Sequence, residues 1–188
     1  MTRLGVFAGA FNPVTRAHLA LVDAARDLVD RVVCVVPRAY PHKQWEGARL
    51  EDRVAMLEQS RRDYDIVITD GGLFLDIARE LRHAHNGSEI VFLCGRDAAE
   101  RVLTWDYGKP GVVEAMLDEF AMLVAARNGE FTAPDYAKSR VRPLPMATGY
   151  DADSSTEVRR RIAAREPWQH LVPEPIVELV GRIYTTGF

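Results

Sequence analysis

The sequence predicts an α/β fold of the Rossmann-like kind, with a doubly wound, mostly parallel sheet and C-terminal helices. Short apolar runs alternate four times with helix-length amphipathic segments, and the runs are apolar along their whole length. The alternation is typical of parallel strands joined by right-handed connections. Strands that are apolar throughout indicate a sheet covered on both faces. At 188 residues the chain can bury a sizeable core, so we expect a single domain over residues 1–188.

Hydrophobic periodicity places the individual elements. Five apolar runs predict strands, at residues 4–8, 31–36, 65–69, 89–94 and 120–126. Segments with apolar residues near helical spacing predict helices at 15–29, 49–64, 73–85, 97–105, 155–165 and 175–184. Residues 128–153 are rich in proline, glycine and polar residues, which predicts one long irregular loop. Such loops are uncommon in compact domains and are usually functional.

The composition favours an ordinary globular protein without a charged or lipid partner. Hydrophobic residues make up 47% of the chain and the net charge is −3, so nothing in the overall charge predicts binding to nucleic acid. An anion site must therefore be built locally. No apolar run approaches the ~20 residues needed to cross a bilayer, and the first residues lack a signal-peptide pattern. We expect neither nucleic acid nor membrane as a partner.

The two cysteines predict a reducing compartment. Cys34 and Cys94 each lie inside an apolar run. Isolated cysteines in such runs are typical of buried, reduced thiols rather than of a disulfide or a metal site. We therefore expect a cytoplasmic protein. The sequence does not indicate an oligomeric state.

The first candidate site follows the first predicted strand, in "GVFAGAFNPVTRAHLALV" (5–22). Open α/β sheets bind ligands beyond the carboxyl ends of their strands. Gly9 lets the backbone approach a ligand closely. Thr15 can cap the next helix and so place His18 in its first turn, where free N–H groups attract anions. Alternatively, Gly9 and Pro13 only shape a tight turn and His18 covers the helix end, since neither common phosphate-loop motif is present.

The second candidate site is "DADSSTEVRRRI" (151–162). Ser154 and Glu157 fit a capping box, which alone would explain both residues. The box does not explain Ser155, Thr156 and Arg159. Two hydroxyls at a helix start and an arginine one turn later could hold a polyphosphate.

With both motifs, the chain resembles the nicotinate/nicotinamide mononucleotide adenylyltransferases of the T/H-x-x-H nucleotidyltransferase superfamily. "GAFNPVTRAH" is similar to that family's G-x-F-x-P-x-(H/T)-x-x-H, and "SSTEVR" to its S-x-T-x-x-R. Resemblance extends to "PHK" (41–43), "FLCGRDAAERVLTW" (92–105) and "HLVPEPIVELVGRIY" (170–184), in the family's order. Three positions depart from the bacterial pattern: Thr15 replaces its first histidine, Ala17 a common glycine, and Arg96 a small or polar residue.

The resemblance implies a reaction and its cofactor. ATP and nicotinate or nicotinamide mononucleotide would give the dinucleotide and pyrophosphate, a step of NAD biosynthesis. The mononucleotide phosphate would attack the α-phosphorus in line, so no covalent intermediate is needed. The sequence contains no evident metal-ligand cluster, and Mg²⁺ would arrive with the ATP phosphates.

The resemblance also assigns residues to this reaction. The catalytic group would be His18, Thr15 and Arg159. The residues that contact ATP would be Ala8, Gly9, Ala10, Phe11, His18, Gly95, Asp97, Ser155, Thr156 and Arg159. Lys43, Trp105 and Arg127 would contact the pyridine mononucleotide. Without the family, the simpler interpretations are a solvated lysine at Lys43, a helix N-cap at Asp97 and a core side chain at Trp105.

Other functions remain open at the level of sequence. One is transfer to a different phosphorylated acceptor such as phosphopantetheine, or a cytidylyl transfer. Another is a nucleotide-binding sensor without catalysis, against which His18 together with Arg159 argues, since binding alone does not require both. A flavodoxin-like or response-regulator domain is the structural alternative. Response regulators need carboxylates clustered at strand ends, and the end of the first strand has none.

Overall fold

The computed structural model describes residues 2–40, 47–60, 62–126, 131–150 and 152–185. Six strands lie in this part of the chain: β1 (Arg3–Ala8), β2 (Arg31–Pro37), β3 (Asp65–Thr69), β4 (Glu89–Gly95), β5 (Ala121–Ala125) and β6 (Val141–Leu144). It also contains seven α-helices: α1 (Arg16–Ala25), α2 (Leu50–Gln59), α3 (Phe74–Ala84), α4 (Arg96–Thr104), α5 (Val112–Glu119), α6 (Ser155–Ala164) and α7 (Val177–Thr185). None of these helices is long and apolar enough to cross a membrane.

All six strands are parallel and form one sheet in the order β3-β2-β1-β4-β5-β6. The order reverses between β1 and β4, which are hydrogen-bonded neighbours with Val6 opposite Phe92. The chain leaves these two strands toward opposite halves of the sheet, and this opens a crevice at their carboxyl ends. The predicted fold class is confirmed, and the crevice lies where the first motif was expected.

Helices cover both faces of the sheet and bury two apolar cores. One core contains side chains from α1, α2, α6 and α7, and the other contains side chains from α3, α4 and α5. Adjacent strand residues point to opposite faces, so Val6 belongs to the second core and Phe7 to the first. Phe92 stacks on Phe74 at a centroid distance of 4.1 Å in the second core. This double burial explains the uninterrupted apolar runs.

The two cysteines lie in opposite cores. Cys34 is 1% exposed and Cys94 is 3% exposed, and neither forms a disulfide. Burial raises the pKa of both thiols, that of Cys94 to about 12, because a thiolate would lose its hydration. The prediction of two buried, reduced thiols is confirmed.

The predicted irregular loop at 128–153 is wrong in its middle. A 3₁₀ turn forms at Asp135–Ala137, and β6 then adds the edge strand beside β5. β6 has four residues and includes Pro143, opposite Val124. A proline cannot donate to a ladder and is tolerated on an edge strand, which is why this short segment lacks a strand pattern.

Helix α5 was not predicted. Its eight residues follow a glycine-rich turn in which Gly111 is the N-cap with φ +78°. A left-handed residue there requires glycine's freedom. The helix presents only Met116 and Leu117 as buried residues, so the sequence shows too little periodicity to reveal it. The other predicted elements are present, with helix ends that differ by a few residues, mostly at their C-termini.

Candidate active site

Two helix N-termini meet at the crevice between β1 and β4. Thr15 is the N-cap of α1 and Ser154 is the N-cap of α6. Ser154 Oγ accepts a hydrogen bond from the backbone N–H of Glu157 at 3.1 Å, which is one half of the predicted capping box, whereas the Glu157 carboxylate binds Arg160 and Arg161. Sequence therefore places both helix starts correctly, and the structure brings them together.

Hydrogen bonds join the two helix starts directly. Ser155 Oγ donates to the carbonyl oxygen of Pro13 at 2.7 Å, and Thr15 Oγ1 donates to the carbonyl oxygen of Asp153 at 3.2 Å. In addition, Arg16 Nε lies 3.2 Å from the buried Asp153 carboxylate. These bonds join segments that lie far apart in the sequence, and they fix the separation of α1 and α6.

His18 is held by its own helix cap. The backbone N–H of Thr15 donates to His18 Nδ1 at 2.9 Å, and Thr15 Oγ1 lies 3.1 Å from the same nitrogen. A ring nitrogen that accepts an N–H bond carries no proton, so the neutral imidazole has its proton on Nε2. The ring packs against Phe7 and Phe11, at centroid distances of 5.7 and 5.3 Å. The cap thus fixes both the tautomer and the orientation of the ring.

Side chains that follow β2 and lie in α2 hold the loop after β1. Tyr40 donates its hydroxyl to the carbonyl oxygen of Gly9 at 3.3 Å, and Arg53 Nη1 donates to that of Ala10 at 3.3 Å. Arg53 Nη1 also donates to Tyr40 Oη at 2.9 Å. In a trans peptide, the N–H of the next residue points away from the carbonyl. The carbonyls of Gly9 and Ala10 point toward Tyr40 and Arg53. The N–H groups of Ala10 and Phe11 therefore point to the opposite side of the loop, an arrangement suited to binding an anion.

The same loop contains a strained residue. Phe11 has φ +48°, in the left-handed region that a bulky side chain rarely occupies, yet it is only 2% exposed. Its ring lies so close to Gly9 that a Cβ there would be 3.0 Å from it. A side chain at position 9 would therefore require the buried Phe11 ring to shift. Strain of about 1–2 kcal/mol held by surrounding contacts is common at functional loops.

On the other side of the crevice, β4 ends at Gly95, which is the N-cap of α4. Asp97 lies in the first turn and is exposed, so the alternative interpretation of Asp97 as the N-cap is wrong. A Cβ on Gly95 would meet nothing within 4 Å. The crevice therefore has open space beside Gly95, with Asp97 at its edge.

Trp105 follows α4 and is 50% exposed, so the alternative of a core tryptophan is wrong. It lines a surface cavity of about 470 Å³. Tyr136, also half-exposed, donates its hydroxyl to the carbonyl oxygen of Leu103 at 3.1 Å. The residues that line this cavity, 105–114, do not include His18, Gly95 or Arg159, so the cavity does not join Trp105 to the two helix starts.

Lys43 and Arg127 lie outside the described residues, so their roles stay predictions. Ala8 ends β1 and is partly exposed at the same crevice. Within the described parts of the chain, no group of three or more His, Cys, Asp or Glu side chains could hold a metal ion.

The sequence alone did not predict the side chains that donate hydrogen bonds to the loop after β1, above all Arg53. This arginine is 2% exposed, although arginines are rarely buried unless paired. Its position carried a signal, because Arg53 precedes the buried Met56 and Leu57 by three and four residues. That spacing puts Arg53 on the apolar face of α2. A charged residue on an apolar helix face indicates a buried polar partner.

The chain is similar to nucleotidyltransferases in sequence and in fold. The sequence model of the cytidylyltransferase-like family matches residues 6–161, which include both helix starts. A probable nicotinate-nucleotide adenylyltransferase of Thermus thermophilus is 31% identical over 186 residues, 93% of this chain and 94% of that one. Another, from Geobacter sp. (strain M21), is 29% identical over 208 residues and covers 95% of each chain.

Solved structures share the fold. The Plasmodium falciparum nicotinic acid mononucleotide adenylyltransferase complexed with NaAD superimposes with a TM-score of 0.71, at 15% identity, over 97% of this chain and 96% of that chain. A putative nicotinate-nucleotide adenylyltransferase from Vibrio parahaemolyticus gives a TM-score of 0.66, at 13% identity, over 98% of this chain and 96% of that chain.

The two glycines of the crevice should respond differently to a methyl group. Gly9→Ala pushes a Cβ against the buried Phe11 ring, and we expect it to lower the free energy of unfolding by about 1–3 kcal/mol. Gly95→Ala enters open space at an ordinary backbone conformation, and we expect a loss of only about 0.5 kcal/mol, because alanine is a poorer N-cap than glycine. Urea denaturation of both variants measures the difference. Equal losses at the two positions would contradict the described loop packing.

Proposed function

This chain belongs to the cytidylyltransferase-like family, and we propose that it transfers the adenylyl group of ATP to the phosphate of nicotinate mononucleotide and releases pyrophosphate. The observation that carries the proposal is the joined pair of helix starts, one bearing His18 and the other Arg159. The product, a dinucleotide, is an intermediate of NAD biosynthesis.

The reaction depends more on the relative positions of the two nucleotides than on activation of the attacking phosphate. The phosphate of the mononucleotide is already ionised at pH 7 and attacks the α-phosphorus directly, so no covalent enzyme intermediate forms. Pyrophosphate leaves from the opposite side, carrying the electrons of the broken P–O bond. Catalysis then depends on holding the two nucleotides in line and on stabilising the negative charge that develops on the phosphates.

His18 is suited to stabilise that charge. Because Nδ1 accepts the N–H of Thr15, the Nε2–H is the donor that a phosphate oxygen would receive. The aromatic rings of Phe7 and Phe11 prevent the imidazole from turning away. Thr15 contributes to catalysis indirectly, because it holds His18 in position.

The start of α6 would receive the outer phosphates. Arg159 Nη1 donates to the carbonyl oxygen of Asn12, and Nη2 lies 3.5 Å from Thr156 Oγ1. A guanidinium has five N–H donors, so the bond to Asn12 leaves capacity for a phosphate. Ser155 donates its hydroxyl proton to the carbonyl oxygen of Pro13, so its side chain mainly holds the loop after β1. Its backbone N–H lies in the first turn of α6.

The acceptor would lie toward β4. Trp105 offers an exposed ring face for the pyridine, while Asp97, assigned to ATP, offers a carboxylate for the ribose hydroxyls of that nucleotide. The relatives named for nicotinate nucleotide favour the acid over the amide. Mg²⁺ would enter bound to the ATP phosphates as part of the substrate, retaining most of its waters. A cytoplasmic location, the absence of a nucleic-acid partner, and the roles of Lys43 and Arg127 stay predictions.

A pyrophosphate-release assay tests the reaction and its substrates together. We expect release with ATP and nicotinate mononucleotide, less with nicotinamide mononucleotide, and none with phosphopantetheine or without an acceptor. CTP in place of ATP should give little product. Preference for phosphopantetheine or for CTP would support the alternative transfers, and nucleotide binding without any release would indicate a sensor.

Replacing His18 tests the proposed role of the imidazole. We expect His18→Ala to lower kcat by about 10²-fold or more, because one preorganised charge-stabilising donor is lost. His83→Ala is the control, since His83 is exposed in the last turn of α3, which leads into the amino end of β4, and the crevice lies at the carboxyl end of that strand. A folded His18→Ala protein, verified by circular dichroism, with the turnover of the control would remove His18 from the mechanism.

A further inference from the structure

The C-terminal helix reaches the loop at the start of the proposed site. Tyr184, on the last turn of α7, donates its hydroxyl proton to Asn12 Oδ1, a residue 172 positions earlier in the chain. Helix α7 is anchored in the first core by Leu179 and Val180, which are 8% and 0% exposed. The position of the phenol is therefore set by the core rather than by a free chain end.

Asn12 is a junction between three segments. Its Oδ1 also accepts the backbone N–H of Ala48 at 3.0 Å. A Cβ on Gly47 would lie 2.0 Å from Asn12 Nδ2, so the segment that precedes α2 packs tightly against this side chain. Asn12 is 4% exposed, and its own carbonyl oxygen accepts the bond from Arg159. The amide oxygen that accepts from Tyr184 and the carbonyl oxygen that accepts from Arg159 therefore belong to the same residue, Asn12.

The electrostatic surroundings keep the phenol protonated. Burial raises the pKa of Tyr184, while the cationic Arg159 and Arg53 lower it to a smaller extent. The hydroxyl therefore remains a donor through neutral pH.

We propose that Tyr184 is a positioning residue for the adenylyl transfer. Through Asn12, its hydroxyl fixes the carbonyl that holds Arg159, and so fixes Arg159 relative to His18. Without the hydroxyl, Asn12 Oδ1 retains the Ala48 N–H but loses the phenol, so the segment around Asn12 is held less firmly and the carbonyl that anchors Arg159 can shift. The proposal rests on the proposed function, because it concerns the alignment of the same phosphates.

The test compares two tyrosines that each lose one hydrogen-bonded hydroxyl. Tyr184→Phe removes the bond to Asn12. The matched control, Tyr64→Phe, removes a 2.7 Å bond from a 4% exposed tyrosine to the carbonyl oxygen of Leu57, at the end of α2 away from the crevice. We expect similar shifts of the urea midpoint in both variants. We expect kcat to fall about tenfold in Tyr184→Phe alone, with KM for ATP within about twofold of the original, since small misplacements act on the reacting geometry.

A third variant tests whether the two residues act as a unit. Asn12→Ala should lower kcat at least as much as Tyr184→Phe, and the double variant should be no worse than Asn12→Ala. Equal kcat in Tyr184→Phe and Tyr64→Phe, with an active parent protein, would overturn the positioning role only. A parent protein without adenylyl transfer would overturn the proposed function itself. If Asn12→Ala does not fold, the two tyrosine variants still decide the question.

Discussion

The site depends on the hydrogen bonds that hold two helix N-termini against each other. Each start carries roughly half a positive elementary charge from its aligned peptide dipoles, and α1 and α6 each contribute ten residues of helix. Bringing two such ends together is electrostatically unfavourable. The bonds from Ser155 to Pro13 and from Thr15 to Asp153 maintain the arrangement. A polyphosphate is the kind of ligand that would relieve the repulsion, so a chain with a net charge of −3 can still offer a local anion site here.

The fold supplies the place where these two helices can meet. β1 and β4 lie side by side although two strands and three helices separate them in sequence, and the crevice follows from that reversal. Helix α1 leaves the crevice directly. Helices α6 and α7 return to it from the other end of the chain and pack in the same core as α1. The last helices of the protein therefore complete a site that its first strand begins.

Much of this could be predicted from local sequence signals. Apolar runs predicted five of the six strands that the described residues form, and the cap residues Thr15 and Ser154 predicted both helix starts, because capping depends on a few adjacent residues. The edge strand β6 has too few residues, and contains Pro143, so no local pattern marks it. The support of the loop by Tyr40, Arg53 and Tyr184 was also not predicted. Those contacts join distant segments, and only the packed fold shows which donor meets which carbonyl.

A structure determined with a non-hydrolysable ATP analogue is the most direct test of the shared phosphate site. We expect the triphosphate between the two helix starts, with one phosphate oxygen accepting from His18 Nε2 and another from the Arg159 guanidinium, both within ~3.2 Å. A triphosphate that contacts only one helix start, or that binds at another surface, would contradict this arrangement.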